Sequence, residues 1–210
     1  MALALFTIEP RTKTNFNEAQ QLLTALIDEN PDDDYGIAAT YYQARLLEAH
    51  ADEPNRQSAI SIYRQLLRDH PGHPVAEFAA PKLAFLLLYD DVPPETWEEH
   101  YAEFQALRPN LQTTAAQRDT LLVLADALLN LRQDKVRAFP HLKYCDDAGL
   151  INRIMRQSVV LIQLAESARA LGLKTEAQHY YTRYLQDFSR EAASEEIQRR
   201  LVALEKEMKL

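Results

Sequence analysis

Cysteine, glycine, long apolar runs and a basic surplus are all scarce in this chain, and each shortage removes a class of answer. Cys145 is the single cysteine among 210 residues, so no intramolecular disulfide forms, no cysteine pair is offered to a metal, and the residue reads as a buried, inert thiol. Glycine occurs only four times, and the ten prolines sit mostly between apolar-periodic segments. That punctuation belongs to helices joined by short loops, and no alternating run of strand length appears. The longest apolar runs, such as Leu83 to Tyr89, fall far short of the roughly 20 residues a membrane span requires. Met1 to Phe6 is apolar but lacks a basic start, an adequate hydrophobic stretch and a cleavage site, so it does not read as a secretory signal. The compartment is left open by the sequence: a soluble protein, cytoplasmic, or periplasmic if an upstream signal has been removed.

Acidic side chains outnumber basic ones 31 to 23, for a formal charge of -8. Acids gather in loops such as Asp32, Asp33 and Asp34, or Asp146 and Asp147. The densest basic stretch, Arg183, Arg190, Arg199 and Arg200, is interleaved with Glu191, Glu195 and Glu196. Phosphate backbones would be repelled, so nucleic acid is excluded as the expected partner. A hydrophobic content of 47% supplies a sizeable core, or an extended stack whose core is shared between units.

A repeat is what the sequence does contain. Glu18 to Pro31, Ser58 to Pro71 and Glu176 to Ser189 align without gaps. Each carries alanine second (Ala19, Ala59, Ala177), apolar or aromatic residues three and four later and again seven and eight later, and a helix stop at the end. That is one face of a helix. Thr96 to Pro109 is a fourth, weaker copy with Trp97 in place of the alanine. A second set of helices alternates with these, each marked by a small residue among large ones: Ala44, Ala84, Ala125 and Ala165, at separations of 40, 41 and 40. Small residues let helix backbones approach closely, so one such alanine per hairpin is a packing signature. Helices carrying these marker alanines are termed first-type here, and their successors second-type. The second-type member between Val136 and Gly149 is unclear, because Pro140 stands where a helix interior is expected. A broken or shortened helix is predicted there.

Capping boxes are predicted at Asn15 with Glu18, Thr96 with Glu99 and Thr114 with Gln117, and Gly172 is predicted to close a helix. Pro81 should either kink a helix over Val75 to Tyr89 or mark its start. Ile197, Leu201, Leu204 and Met208 form one seam of a C-terminal capping helix, expected at about 190–208, with a dimer-forming helix as the alternative. Counting forty back from Ala44 gives Ala4, so the first hairpin lacks most of its first helix, and the natural protein is expected to begin earlier.

These residues resemble tetratricopeptide (TPR) repeats. Leu164, Ala165, Gly172, Ala177, Tyr181 and Leu185 fall at that family's signature places in the last hairpin, as do Ala59, Tyr63 and Pro71. Ser189 replaces the usual closing proline, and the loop from Ala51 to Arg56 is longer than the family's. The stretch from Ile62 to Leu88 also resembles variant repeats of bacterial cell-envelope proteins, such as outer-membrane assembly lipoproteins and the periplasmic partner of the Tol-Pal system. HEAT-like repeats are the rival, and the alanine-to-proline spacing of twelve argues against them. The resemblance implies an all-α, right-handed α-α superhelix of about five hairpins and roughly ten helices. It makes residues 1–210 a single TPR-like repeat domain with an irregular unit at about 132–150.

No Gly-rich phosphate loop, nucleophile-elbow serine or dinucleotide fingerprint occurs. His70 and His73 flank Pro71 and Gly72 without a third ligand and read as a solvated loop. Glu99, His100 and Glu103 share a helix but lack the two-histidine zinc pattern, so neither catalysis nor a cofactor is expected. The family likeness implies that first-type helices line a concave face where a peptide or partner protein lies. Carried over, the candidate partner-binding residues are Tyr41, Arg45 and Glu48 around Ala44, and Tyr89 beyond Ala84. In the later hairpins they are Asp126 and Asn130 after Ala125, and Glu166 with Arg169 beyond Ala165. Two alternatives stand beside this scaffold: a structural subunit of a larger, bacterial envelope assembly, and a regulatory or catalytic helical domain with a pocket near 132–150.

Overall fold

The computed structural model describes residues 12–49, 55–90, 92–151 and 154–209. Among them there is no strand. The helices are α1 (Lys13–Glu29), α2 (Asp34–Ala49), α3 (Arg56–Asp69), α4 (Pro74–Glu77), α5 (Ala79–Leu88) and α6 (Pro94–Leu107). After a 3-10 turn at Arg108–Asn110 come α7 (Thr114–Leu131), α8 (Lys135–Asp147), α9 (Ile154–Ala170), α10 (Lys174–Asp187) and α11 (Ser194–Met208). The helical-repeat architecture read from the sequence is therefore present. No helix among the described residues is long and apolar enough to cross a membrane. Ala4 and most of the loop from Ala51 lie outside the described residues.

The chain forms two compact units, Met1–Thr120 and Leu121–Leu210, the division falling within α7. In the first, α1 packs on α2, α2 on α3, α3 on α5 and α5 on α6. In the second, α8 packs on α9, α9 on α10 and α10 on α11. Helices whose partners are their neighbours in sequence are what a stack of hairpins requires, since no hairpin buries its apolar face alone.

Both marker series occupy the contacts between helices. Ala44, Ala84, Ala125 and Ala165 are all 0% exposed. Around three of them the same pattern is buried: Ala80, Leu83 and Leu87 about Ala84; Leu121, Leu124 and Leu128 about Ala125; Leu161, Leu164 and Ala168 about Ala165. Second-type helices after α1 keep a register of their own, with buried residues at their fourth, eighth and eleventh positions: Ala59, Tyr63 and Leu66 in α3; Trp97, Tyr101 and Phe104 in α6; Ala177, Tyr181 and Tyr184 in α10. In α8 the same places hold Ala138, Leu142 and Cys145. The member left unclear by the sequence is thus a regular one, and Cys145 fills a core position taken elsewhere by leucine, phenylalanine or tyrosine. Trp97 substitutes for the small residue because its indole N–H finds a partner, donating to the Leu88 carbonyl at the end of α5 (3.0 Å), while its ring stacks on Tyr101 at 5.5 Å.

Pro140 and Pro81 behave differently, for one reason. Pro140 does not break or shorten α8, contrary to expectation. The bond it forfeits belongs to the carbonyl of Val136, an exposed residue in the first turn where water can serve instead. Pro81 forfeits a bond to Glu77, and the chain breaks at Phe78, between α4 and α5. There the Glu77 side chain is itself in use. Its carboxylate, 1% exposed, accepts backbone N–H bonds from Gln112 (2.5 Å) and Thr113 (2.6 Å). Thr113 in turn caps α7, its hydroxyl accepting from the Ala116 N–H at 3.3 Å.

Two further starts differ from the predicted capping boxes. Thr12 caps α1, accepting from the Asn15 N–H at 3.1 Å, and α6 begins at Pro94, two residues before Thr96, because proline's fixed φ and missing N–H suit a first helical position. Gly172 closes α9 as expected, at φ +74, with the Leu173 N–H reaching back to the Ala168 carbonyl at 2.9 Å. Gly36 meets a different demand. A Cβ there would lie 1.6 Å from the Asn30 carbonyl oxygen, so the turn from α1 into α2 closes only over a bare backbone. At the far end, Ile197, Leu201 and Leu204 of α11 are buried, whereas Met208, expected on that seam, is exposed because the helix ends there.

Candidate partner-binding face

In the first unit, Tyr41, Arg45 and Glu48 rise on successive turns of α2. Arg45 pairs with Glu48 at 3.0 Å, and the other oxygen of Glu48 accepts the Tyr63 hydroxyl at 2.7 Å. Tyr41 packs edge-on to Tyr42 (5.3 Å) and against Tyr63 (6.0 Å). Burial, reinforced by the bond to Glu48, pushes the Tyr63 phenol far above its ordinary range, so it stays a donor. Burial lowers the pKa of the Arg45 guanidinium, but Glu48, with Tyr63 and Tyr41, more than restores it. Lys82, on α5, stands within electrostatic range of both Arg45 and Glu48, and burial followed by Arg45 pushes its ammonium pKa down. Tyr89, at the end of α5, stacks on Phe85 with ring centroids 4.8 Å apart.

In the second unit, the Asn130 amide donates to Asp126 at 2.9 Å along α7. Glu166 is the more committed residue. It accepts the Tyr181 hydroxyl and the Arg200 guanidinium (2.7 Å), and Lys135 lies 3.6 Å away. Burial raises its carboxyl pKa, but the bonds from Tyr181 and Arg200 outweigh that and hold it below the usual range. Arg169 pairs with Glu207 of α11 at 2.7 Å. Asp146 and Arg183 form a further two-pronged pair between α8 and α10, at 2.6 and 3.0 Å.

Tyr41, Arg45 and Glu48 thus form one cluster. Glu166 and Arg169 each tie α9 to α11, and Asp126 with Asn130 stands as a local pair. Glu48 and Glu166 hold their own hairpins together as much as they face outward. Sequence reasoning missed their tyrosines, although a signal was there. Each glutamate precedes its tyrosine by fifteen residues, and each tyrosine stands four after the second-type marker. Lys82 and Phe85 were missed as well.

His73 caps α4, its Nδ1 accepting from the Ala76 N–H at 3.4 Å while Nε2 faces Asp34 at 3.0 Å. His70 ends α3. Among the described residues no group of three His, Cys, Asp or Glu side chains is placed to hold a metal ion.

No family model matches the chain, and no curated protein matches it. Its fold is similar to that of a thermophilic TPR protein from Thermus thermophilus, at 16% identity and a TM-score of 0.49, over 97% of this chain and 94% of that one.

Proposed function

We propose that the chain is a non-catalytic interaction scaffold that holds a peptide or partner protein against the face of its first-type helices. One observation carries this reading. The residue after each marker alanine is Arg45, Phe85, Asp126 or Glu166, and none of the four is buried. At one register position, once per hairpin, a fixed packing framework presents a cation, an aromatic and two acids. A framework held constant beneath a varied surface suits recognition of a partner's side chains by each unit. The interleaved charges favour a polar partner, and selectivity would come from which charges meet.

The test is site-specific photocrosslinking in the native cell. A photoreactive phenylalanine placed at Tyr89, Asp126 or Arg169 should give a discrete adduct, and the same residue at Ser61, Glu99 or Gln186, exposed positions on second-type helices, should not. Adducts arising only from the second-type positions would point to lateral assembly and defeat the proposal.

A further inference from the structure

Lys82 and Phe85 of α5, with Phe78 at its N-cap and Tyr89 at its C-cap, follow one another at spacings of four, three and four, the spacing of one helix face. Phe78 is 40% and Phe85 48% exposed. Scattered exposed apolar residues need no explanation, but two exposed aromatics and a part-exposed third at one helix spacing set out a face on which a partner can dock. Lys82 interrupts the file. It is half-buried and has no ion-pair partner among the described residues. The carboxylate in its range, Glu48, is already taken by Arg45 and Tyr63. The line therefore consists of aromatic side chains around a half-buried ammonium that makes no ion pair of its own, with the Arg45 guanidinium in electrostatic range.

The complement of such a surface is apolar on either side of one negative charge. The file extends over about three helical turns, roughly 16 Å, and its spacing matches that of side chains on one face of a partner helix. An extended peptide would need backbone hydrogen-bond partners that aromatic rings do not supply, whereas a helix satisfies its own backbone. We propose that this stripe docks an internal helical segment of a partner protein, with aliphatic side chains covering Phe78, Phe85 and Tyr89 and one Asp or Glu side chain pairing with Lys82. The inference rests on the scaffold reading and names the class of partner. A carboxylate docked there would also offset the burial and, after it, the Arg45 charge that together disfavour the ammonium form.

A displayed library of twenty-residue amphipathic helices, panned on the full chain, tests this. Enriched peptides are synthesised acetylated and amidated, so that any carboxylate belongs to a side chain, and their Kd is read by fluorescence polarisation. The expected binders share an Asp or Glu flanked by aliphatic residues at spacings of three and four. Lys82→Glu and Phe85→Ser should each weaken them by about tenfold or more, and Lys82→Gln should fall between. A peptide with its acid changed to lysine should regain affinity for Lys82→Glu, which a merely misfolded variant would not show. Binders that lack the acid, or that ignore both substitutions and depend on Arg169 or Asp126 instead, overturn this inference and leave the scaffold standing. Failure to enrich any binder counts against both.

Discussion

Glu77 is a place where a single substitution should cost the first unit heavily. Glu77→Ala removes the acceptor of two backbone N–H bonds, those of Gln112 and Thr113, from a position 1% exposed. An amide left without a partner costs about 1–3 kcal/mol when fully buried. These two are only partly so, and the chain also no longer has to desolvate a carboxylate. The net loss works out at about 2–3 kcal/mol, or roughly 4–12 °C in melting temperature for a chain of this size. Glu77→Gln keeps one acceptor but turns an amide N–H toward the other donor, so it should lose about half as much. Urea titrations followed by circular dichroism at 222 nm measure both. If Glu77→Ala unfolds within about 0.5 kcal/mol of the parent, the ordinary scatter of surface changes, the view that this carboxylate pins the entry to α7 is refuted.

Two further outcomes follow from the same geometry. Glu166 has a folded pKa below its ordinary value, so the stability it contributes is present above about pH 4.3 and lost as the pH falls through the depressed value. Glu166→Gln should therefore flatten the acid limb of a plot of urea midpoint against pH, and an unchanged limb would show that Tyr181 and Arg200 do not hold the carboxylate as described. Gly36→Ala should destabilise by about 2 kcal/mol or more, because its Cβ would lie 1.6 Å from the Asn30 carbonyl oxygen. Helix propensity alone predicts the opposite sign, a gain of about 1 kcal/mol, so a thermal melt that rises would refute the close approach.

The repeat was legible because packing between helices imposes small residues at a fixed interval, and Ala44, Ala84, Ala125 and Ala165 record that interval directly. α8 was misread because Pro140 looks like a breaker wherever it stands. What decides its effect is the carbonyl four residues back, and here that carbonyl belongs to the first turn. Ala138, Leu142 and Cys145 already carried the register, hidden by a proline and by a cysteine in a position usually taken by a bulkier residue. Thr96 was assigned as a cap on its spacing from Glu99, whereas Pro93 and Pro94 set the start of α6. On the candidate face, sequence spacing placed Tyr41, Arg45 and Glu48 together but could not show that Glu48 is engaged by a tyrosine fifteen residues on. Nor could it show that Lys82, on the next first-type helix, would stand in range of both Arg45 and Glu48 without an ion pair of its own. The fifteen-residue spacing of glutamate and tyrosine signals the first of these only once the hairpins are known to stack; the second depends on neighbouring hairpins and has no local pattern.

That stacking is open to direct measurement by replacing alanine with leucine at each marker and at exposed alanines of the same chain. Ala44, Ala84, Ala125 and Ala165 are fully buried, whereas Ala25, Ala102 and Ala203 are exposed. Leucine at any of the four should overpack a helix contact and lower the unfolding free energy by about 1–3 kcal/mol, while leucine at the other three should change it by less than about 0.5 kcal/mol. Equal tolerance at the two sets of positions would contradict the repeat register on which the proposed face depends.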